Sequence, residues 1–104
     1  MLADVFKERR DIVVTIPKAK QAEVEAEEAY VARQLARGDQ EIHYYWEMGR
    51  IPKEQPRRVY FVWDGAIRAY HECFGVTGNR LLLRPEIHEV EPEPMASFRG
   101  FRYY

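Results

Sequence analysis

Cysteine is nearly missing from this chain. Cys73 stands alone among 104 residues, which excludes an internal disulfide and a cysteine-rich zinc cluster. No apolar run approaches the roughly 20 residues of a membrane-spanning helix, and the opening MLADVFKERR lacks the apolar stretch of a secretory signal. These absences point to a cytoplasmic protein with no membrane partner. Neither GxxxxGK[ST] nor GxGxxG occurs, so a nucleotide-driven enzyme is disfavoured and no cofactor is expected. Histidine is sparse too. His43, His71 and His88 never fall at the His-x-x-x-His spacing that sets two ligands on one helix face, so no metal site is expected. Nor is there charge of one sign in excess: 16 Lys and Arg face 17 Asp and Glu, for a net charge of -1. Such a molecule exerts no long-range pull on a polyanion, and any polyanion site must be a local patch.

What remains is ordinary globular material, 46% apolar and 32% charged, at a length that fits one domain with a modest core. Residues 1–10 are charged and read as a flexible N-terminal segment, leaving residues 11–104 as a single domain. The β-branched run DIVVTI at 11–16 predicts a short buried strand ending at Pro17. Pro17 suits the first turn of a helix, with Thr15 or Ile16 near its cap. Residues 18–37 are rich in Ala, Glu, Gln, Arg and Leu without Gly or Pro, so they predict the main helix, and Gly38 is its natural stop. Val24, Val31 and Leu35 fall on one stripe. Ala22, Ala26, Ala29 and Ala36 form a second, small enough to lie close against a sheet. The acids Glu23, Glu25, Glu27 and Glu28 read as a solvated face.

An aromatic cluster follows, with a strand expected over 42–46 and an exposed, flap-like loop over 49–56. In RVYFVWDGAIRAYHEC two strand-forming runs flank Asp64-Gly65, the pair favoured in a two-residue hairpin whose central positions both take positive φ. A regular ladder from that turn pairs Trp63 with Ala66, Val62 with Ile67, Phe61 with Arg68, Tyr60 with Ala69 and Val59 with Tyr70. Apolar bulk on both faces predicts a central, buried hairpin. A second turn at 75–79 leads to the strand RLLLR, and the acidic, proline-bearing EIHEVEPEP reads as an edge segment or loop. The chain closes on the aromatic tail SFRGFRYY, which reads either as a docking surface for a flat anionic partner or as the last strand of a small barrel. The expected fold is α+β, a small mixed β-barrel, closed or nearly so, with one main helix packed against it.

Few residues advertise catalysis. Cys73 and His71 lie two apart on a strand and share a face, yet the alternation with Ile67 and Ala69 reads Cys73 as a packed small hydrophobe. The carboxylates Glu86, Glu89, Glu91 and Glu93 read as solvation of an edge. The arginines and aromatic rings form a more pointed set, because exposed bases stack on rings and guanidinium groups bind phosphate bidentately.

The first strand ending in TIPK, the following helix, the aromatic HYYWEMGRIP, the hairpin VYFVWDGAIRAY and the closing FRGFRY together resemble the PUA-like superfamily, and within it the small ASCH-type and EVE-type barrels. The resemblance runs from Asp11 onward. It implies a compact barrel that handles RNA or a modified base in a cleft beside the first strand and helix. Carried over by position, that cleft draws on Thr15, Lys18, Tyr45, Trp46, Arg50 and Trp63, with Arg99 and Arg102 on backbone phosphates. The family's Gly-x-Lys-x-x-Glu-x-Arg signature is only partly matched by Gly49-Arg50-Ile51-Pro52-Lys53-Glu54. Small ASCH relatives that deacetylate cytidine use a Lys, Thr and Glu set, which Lys18, Thr15 and Glu47 would imitate. The expectation is therefore an RNA or single-stranded nucleic-acid binding module, with a modified-nucleoside hydrolase or a protein-interaction barrel as alternatives.

Overall fold

The computed structural model describes residues 11–38 and 44–104. The proposed flexible segment 1–10, His43 and the first two residues of the strand expected at 42–46 lie outside the described residues. Seven strands form one mixed sheet: β1 Ile12–Thr15, β2 Tyr44–Glu47, β3 Arg58–Trp63, β4 Ala66–Thr77, β5 Arg80–Leu83, β6 His88–Pro94 and β7 Phe101–Tyr103. One α-helix, α1 Gln21–Ala36, follows β1 through a short 3-10 turn at Lys18–Lys20. Pro17 initiates that turn, its carbonyl accepting the Lys20 N–H at 2.8 Å, and Gly38 ends the helix at φ 82. Both breakers act where their backbone preferences place them.

Sheet order is β2-β5-β4-β3-β1-β7, with β6 added to β4. β1 runs parallel to β3, and every other pairing is antiparallel. The hairpin β3–β4 is central, as its two-sided apolar sequence demands. Asp64 and Gly65 at its tip take φ 51 and 73, the positive pair that a two-residue turn of this hand requires. The tip register follows the sequence expectation, Trp63 opposite Ala66 and Val62 opposite Ile67. Beyond it the ladder departs. Phe61 faces Ala69, Tyr60 faces Tyr70 and Val59 faces His71, because Arg68 is an extra residue in a β-bulge. The bulge has a local cause: Arg68 Nε donates to the Trp63 carbonyl at 2.7 Å and its Nη2 to the Asp64 carbonyl at 3.0 Å, folding the side chain back over the turn. It also interrupts the other ladder, where residues 90–92 of β6 lie opposite Arg68 alone.

The sheet curls without closing. Trp46 on β2 and Phe61 on β3 are three strands apart, about 14 Å on a flat sheet, yet their ring centroids lie 5.2 Å apart, edge to face. Inside the curl, Ile12, Val14, Val59, Phe61, Leu81 and Leu83 pack with Val31 of α1. Outside it, Val13, Tyr60, Val62 and Ile67 form a second cluster, covered by Met95 and Phe98 of the returning tail. The expected closed barrel is corrected to an open sheet: β2 and β7, four and three residues long, end its main strand path and share no ladder, and β6 is a further edge, paired with β4 alone. Two further expectations change. α1 turns Val24, Glu28, Val31 and Leu35 toward the sheet, while Ala22, Ala26, Ala29 and Ala36 are exposed, because alanine offers too little apolar area to outweigh the larger side chains. The loop 49–56 is anchored, with Pro52 and Pro56 buried and Ile51 packed on the core. Among the described residues, no helix is long and apolar enough to cross a membrane.

Candidate functional site

The unclosed seam is itself a groove. Its walls are Val14 and Thr15 at the end of β1, Tyr45, Trp46 and Glu47 of β2, the first turns of α1 with Lys20, Glu23 and Glu27, and Gly100 just before β7, around a volume of about 430 Å³. Three of the residues expected from sequence thus come together there. Thr15 accepts the Phe98 N–H through Oγ1 at 3.2 Å, tying the tail to the groove floor. Trp46 is half-buried, one edge against Phe61. Tyr45 is 43% exposed, with the Arg80 guanidinium 4.4 Å from its ring centroid.

Gly100 also borders a second concavity, lined by Arg50, Ile51, Lys53, Arg99, Phe101 and Tyr103. Arg50 lies over the Phe101 ring at 5.7 Å. Three cations around two aromatic rings make this a local basic patch, and it adjoins the acid-rimmed groove directly. Burial, then the negative charges of Glu28 and Glu23, raises the Glu27 carboxyl above its ordinary value.

The other expected residues fall elsewhere. Arg102, one residue along β7 from Phe101, points to the opposite sheet face and lies over Phe98 at 4.4 Å. Arg99 and Arg102 therefore do not act on one ligand face. Lys18 is exposed on the 3-10 turn. Trp63 lines a different cavity, beyond α1. Glu47 is exposed and paired with Arg80 at 3.1 Å, so the Thr15, Lys18 and Glu47 set does not converge as a catalytic group.

That other cavity, about 500 Å³, lies between α1 and the strands β3, β4 and β6. Val24 borders both it and the groove, so α1 is the ridge between them. Its wall carries a polar network that sequence reasoning missed. His71 has no exposed surface; Nδ1 lies 2.8 Å from the Arg84 carbonyl and Nε2 lies 2.7 Å from Glu28 Oε1. A carbonyl only accepts, so Nδ1 carries a hydrogen, and one more proton lies between Nε2 and Oε1. Tyr44 stacks on the imidazole at 4.6 Å and donates its hydroxyl to the same Oε1 at 2.7 Å. Burial first, and then this bond to Glu28, holds the Tyr44 phenol far above the ordinary tyrosine value. The signal in the sequence was Glu28 itself, which interrupts the helical stripe Val24, Val31, Leu35 at the position where an apolar residue belongs. Cys73 is buried, its Sγ donating to the Gly75 carbonyl at 3.4 Å, and both His71 nitrogens are engaged by the Arg84 carbonyl and Glu28.

Among the described residues no three His, Cys, Asp or Glu side chains converge as metal donors. Set against protein-family models, curated proteins and solved structures, the chain matches none.

Proposed function

We propose that the chain binds single-stranded nucleic acid, RNA in the first instance, holding one unpaired or modified base in the seam groove and the adjoining phosphates on the basic patch. The same proposal takes the open sheet as a variation on the PUA-like arrangement. The observation that carries it is the shared boundary at Gly100, which sets an aromatic groove beside a three-cation depression. A base needs a flat ring to lie on, and Trp46 and Tyr45 supply rings. Its flanking phosphates need guanidinium or ammonium partners within one nucleotide's reach, which Arg50, Lys53 and Arg99 supply. The carboxylates Glu23 and Glu27 repel phosphate from the groove and accept hydrogen bonds, so they select a base with an exocyclic amino group.

The test is a fluorescence anisotropy titration with labelled single-stranded RNA over a salt series. Three phosphate contacts give a log–log salt slope of about -2, and Arg99→Ala or Arg50→Ala each reduce it by about 0.7. Trp46→Ala costs about 1–3 kcal/mol of binding through lost stacking. No salt-sensitive affinity at micromolar protein refutes the proposal. If deleting residues 99–104 changes oligomeric state while RNA is never bound, the tail is a protein-interaction element instead.

A further inference from the structure

We propose that the cavity beyond α1 is a binding site for a small organic ammonium compound with an apolar body. It is separate from the nucleic-acid reading, since α1 stands between the two concavities. Size and lining come first: about 500 Å³ falls in the range of small-molecule sites, and Phe61, Trp63 and Val90 give it apolar and aromatic walls.

Its polar groups are arranged as acceptors. Both protein bonds to Glu28 land on Oε1, from Tyr44 and His71, so Oε2 is left to the cavity. Wherever the shared proton sits between His71 and Oε1, Oε2 remains an acceptor, either a carboxylate oxygen or a carbonyl oxygen. A ligand must therefore bring a donor. Glu25 and Glu89 at the walls add negative charge, while Arg68, the one guanidinium among the described lining residues, is turned back over the hairpin tip by its Nε and Nη2 bonds to the Trp63 and Asp64 carbonyls, so carboxylates outnumber it around the cavity. The donor is thus best served by a cation, and the rings of Phe61 and Trp63 favour one further. A buried histidine with both nitrogens satisfied fixes Glu28 in this orientation, as the rigid support of a binding group does.

The probe is 2-phenylethylammonium, set against its neutral analogue 2-phenylethanol and the anion 3-phenylpropanoate, with binding followed by tryptophan fluorescence and by backbone amide NMR shifts. Saturable binding of the ammonium probe is expected, about tenfold tighter than the alcohol, with no binding of the carboxylate. Shifts should centre on Val24, Ala69 and Val90. Glu28→Gln should lose about tenfold. Because that change disturbs the buried network, the double variant Glu25→Gln/Glu89→Gln gives an independent reading at exposed positions: about threefold loss for the ammonium probe and none for the alcohol. Equal affinity for ammonium and alcohol, shifts centred elsewhere, or no saturation up to about 10 mM overturns the proposal.

Discussion

Replacing His71 with leucine tests whether the buried network is a coupled unit. His71 is wholly enclosed, and the change deprives the Arg84 carbonyl and Glu28 of their partner at once. A stranded buried carbonyl costs about 1–3 kcal/mol, and a lost bond to an ionisable partner about 1.5–3 kcal/mol. Losing the stack on Tyr44 adds about 0.5–1.5 kcal/mol, and the buried leucine returns about 1.5–3 kcal/mol. The net loss is about 1.5–4.5 kcal/mol. Urea unfolding followed by the fluorescence of Trp46 and Trp63, both packed on the same core, measures it. The decisive comparison adds Glu28→Leu in a Tyr44→Phe background, where the hydroxyl is no longer an orphan. With both polar partners replaced by apolar groups the share of the penalty due to an unpaired Glu28 vanishes while the Arg84 carbonyl stays stranded, so the double variant should be more stable than the sum of the singles by about 2 kcal/mol. A single-variant cost below about 0.5 kcal/mol, or strict additivity in the cycle, refutes the reasoning.

Alkaline pH should weaken the fold through two tyrosines. Tyr104, hydrogen-bonded to Glu93, is pushed up to about 12 from 10.0, first by that bond, and Tyr44 is raised as well. A raised folded value means a contribution that is whole below about pH 10 and falls as pH rises beyond it; a level unfolding profile up to about pH 12 contradicts this, and Tyr44→Phe should flatten the decline. Glu27 follows the same sign at the acid end: its folded preference for the neutral form is lost as pH rises from 4.5, so Glu27→Gln should raise the melting temperature at neutral pH and leave it unchanged in acid, as thermal scans will show. Gly65→Ala should cost about 1–2 kcal/mol by forcing a Cβ into φ 73 at the hairpin tip, and a neutral result in chemical denaturation refutes the role given to that turn.

Local signals in the sequence were reliable where the cause is local. DIVVTI, the main helix, its stop at Gly38 and the Asp64-Gly65 turn each follow from backbone preferences within a few residues, and each stands in the structure, except that residues 18–20 of the expected helix form a 3-10 turn before α1 begins at Gln21. The register beyond Val62 did not follow, because a hairpin apolar on both faces fits either phase and Arg68 chooses between them by bonds to carbonyls four and five residues away. Closure was misjudged since it depends on whether β2 and β7, the two outermost strands of the path, meet in space. Thr15, Tyr45 and Trp46 were placed together by resemblance, and they do share a groove. Trp63 and Arg102 were not separable from that set, because the side of α1 on which a strand end emerges is a tertiary fact. Glu28, Tyr44 and His71 are 16 and 43 residues apart in pairs, and only packing unites them.

The supernumerary Arg68 has a consequence for how this chain can change in length. Ala66 and Ile67 on one side, and Ala69, Tyr70 and His71 on the other, already alternate as though Arg68 were not there. Excising that one arginine leaves each of them on the side it now occupies, whereas losing or gaining a single residue from Ala69 to Cys73 inverts part of the strand and exposes what it protects. A gap of one residue is therefore admissible at Arg68, and homologous chains of different length should differ there.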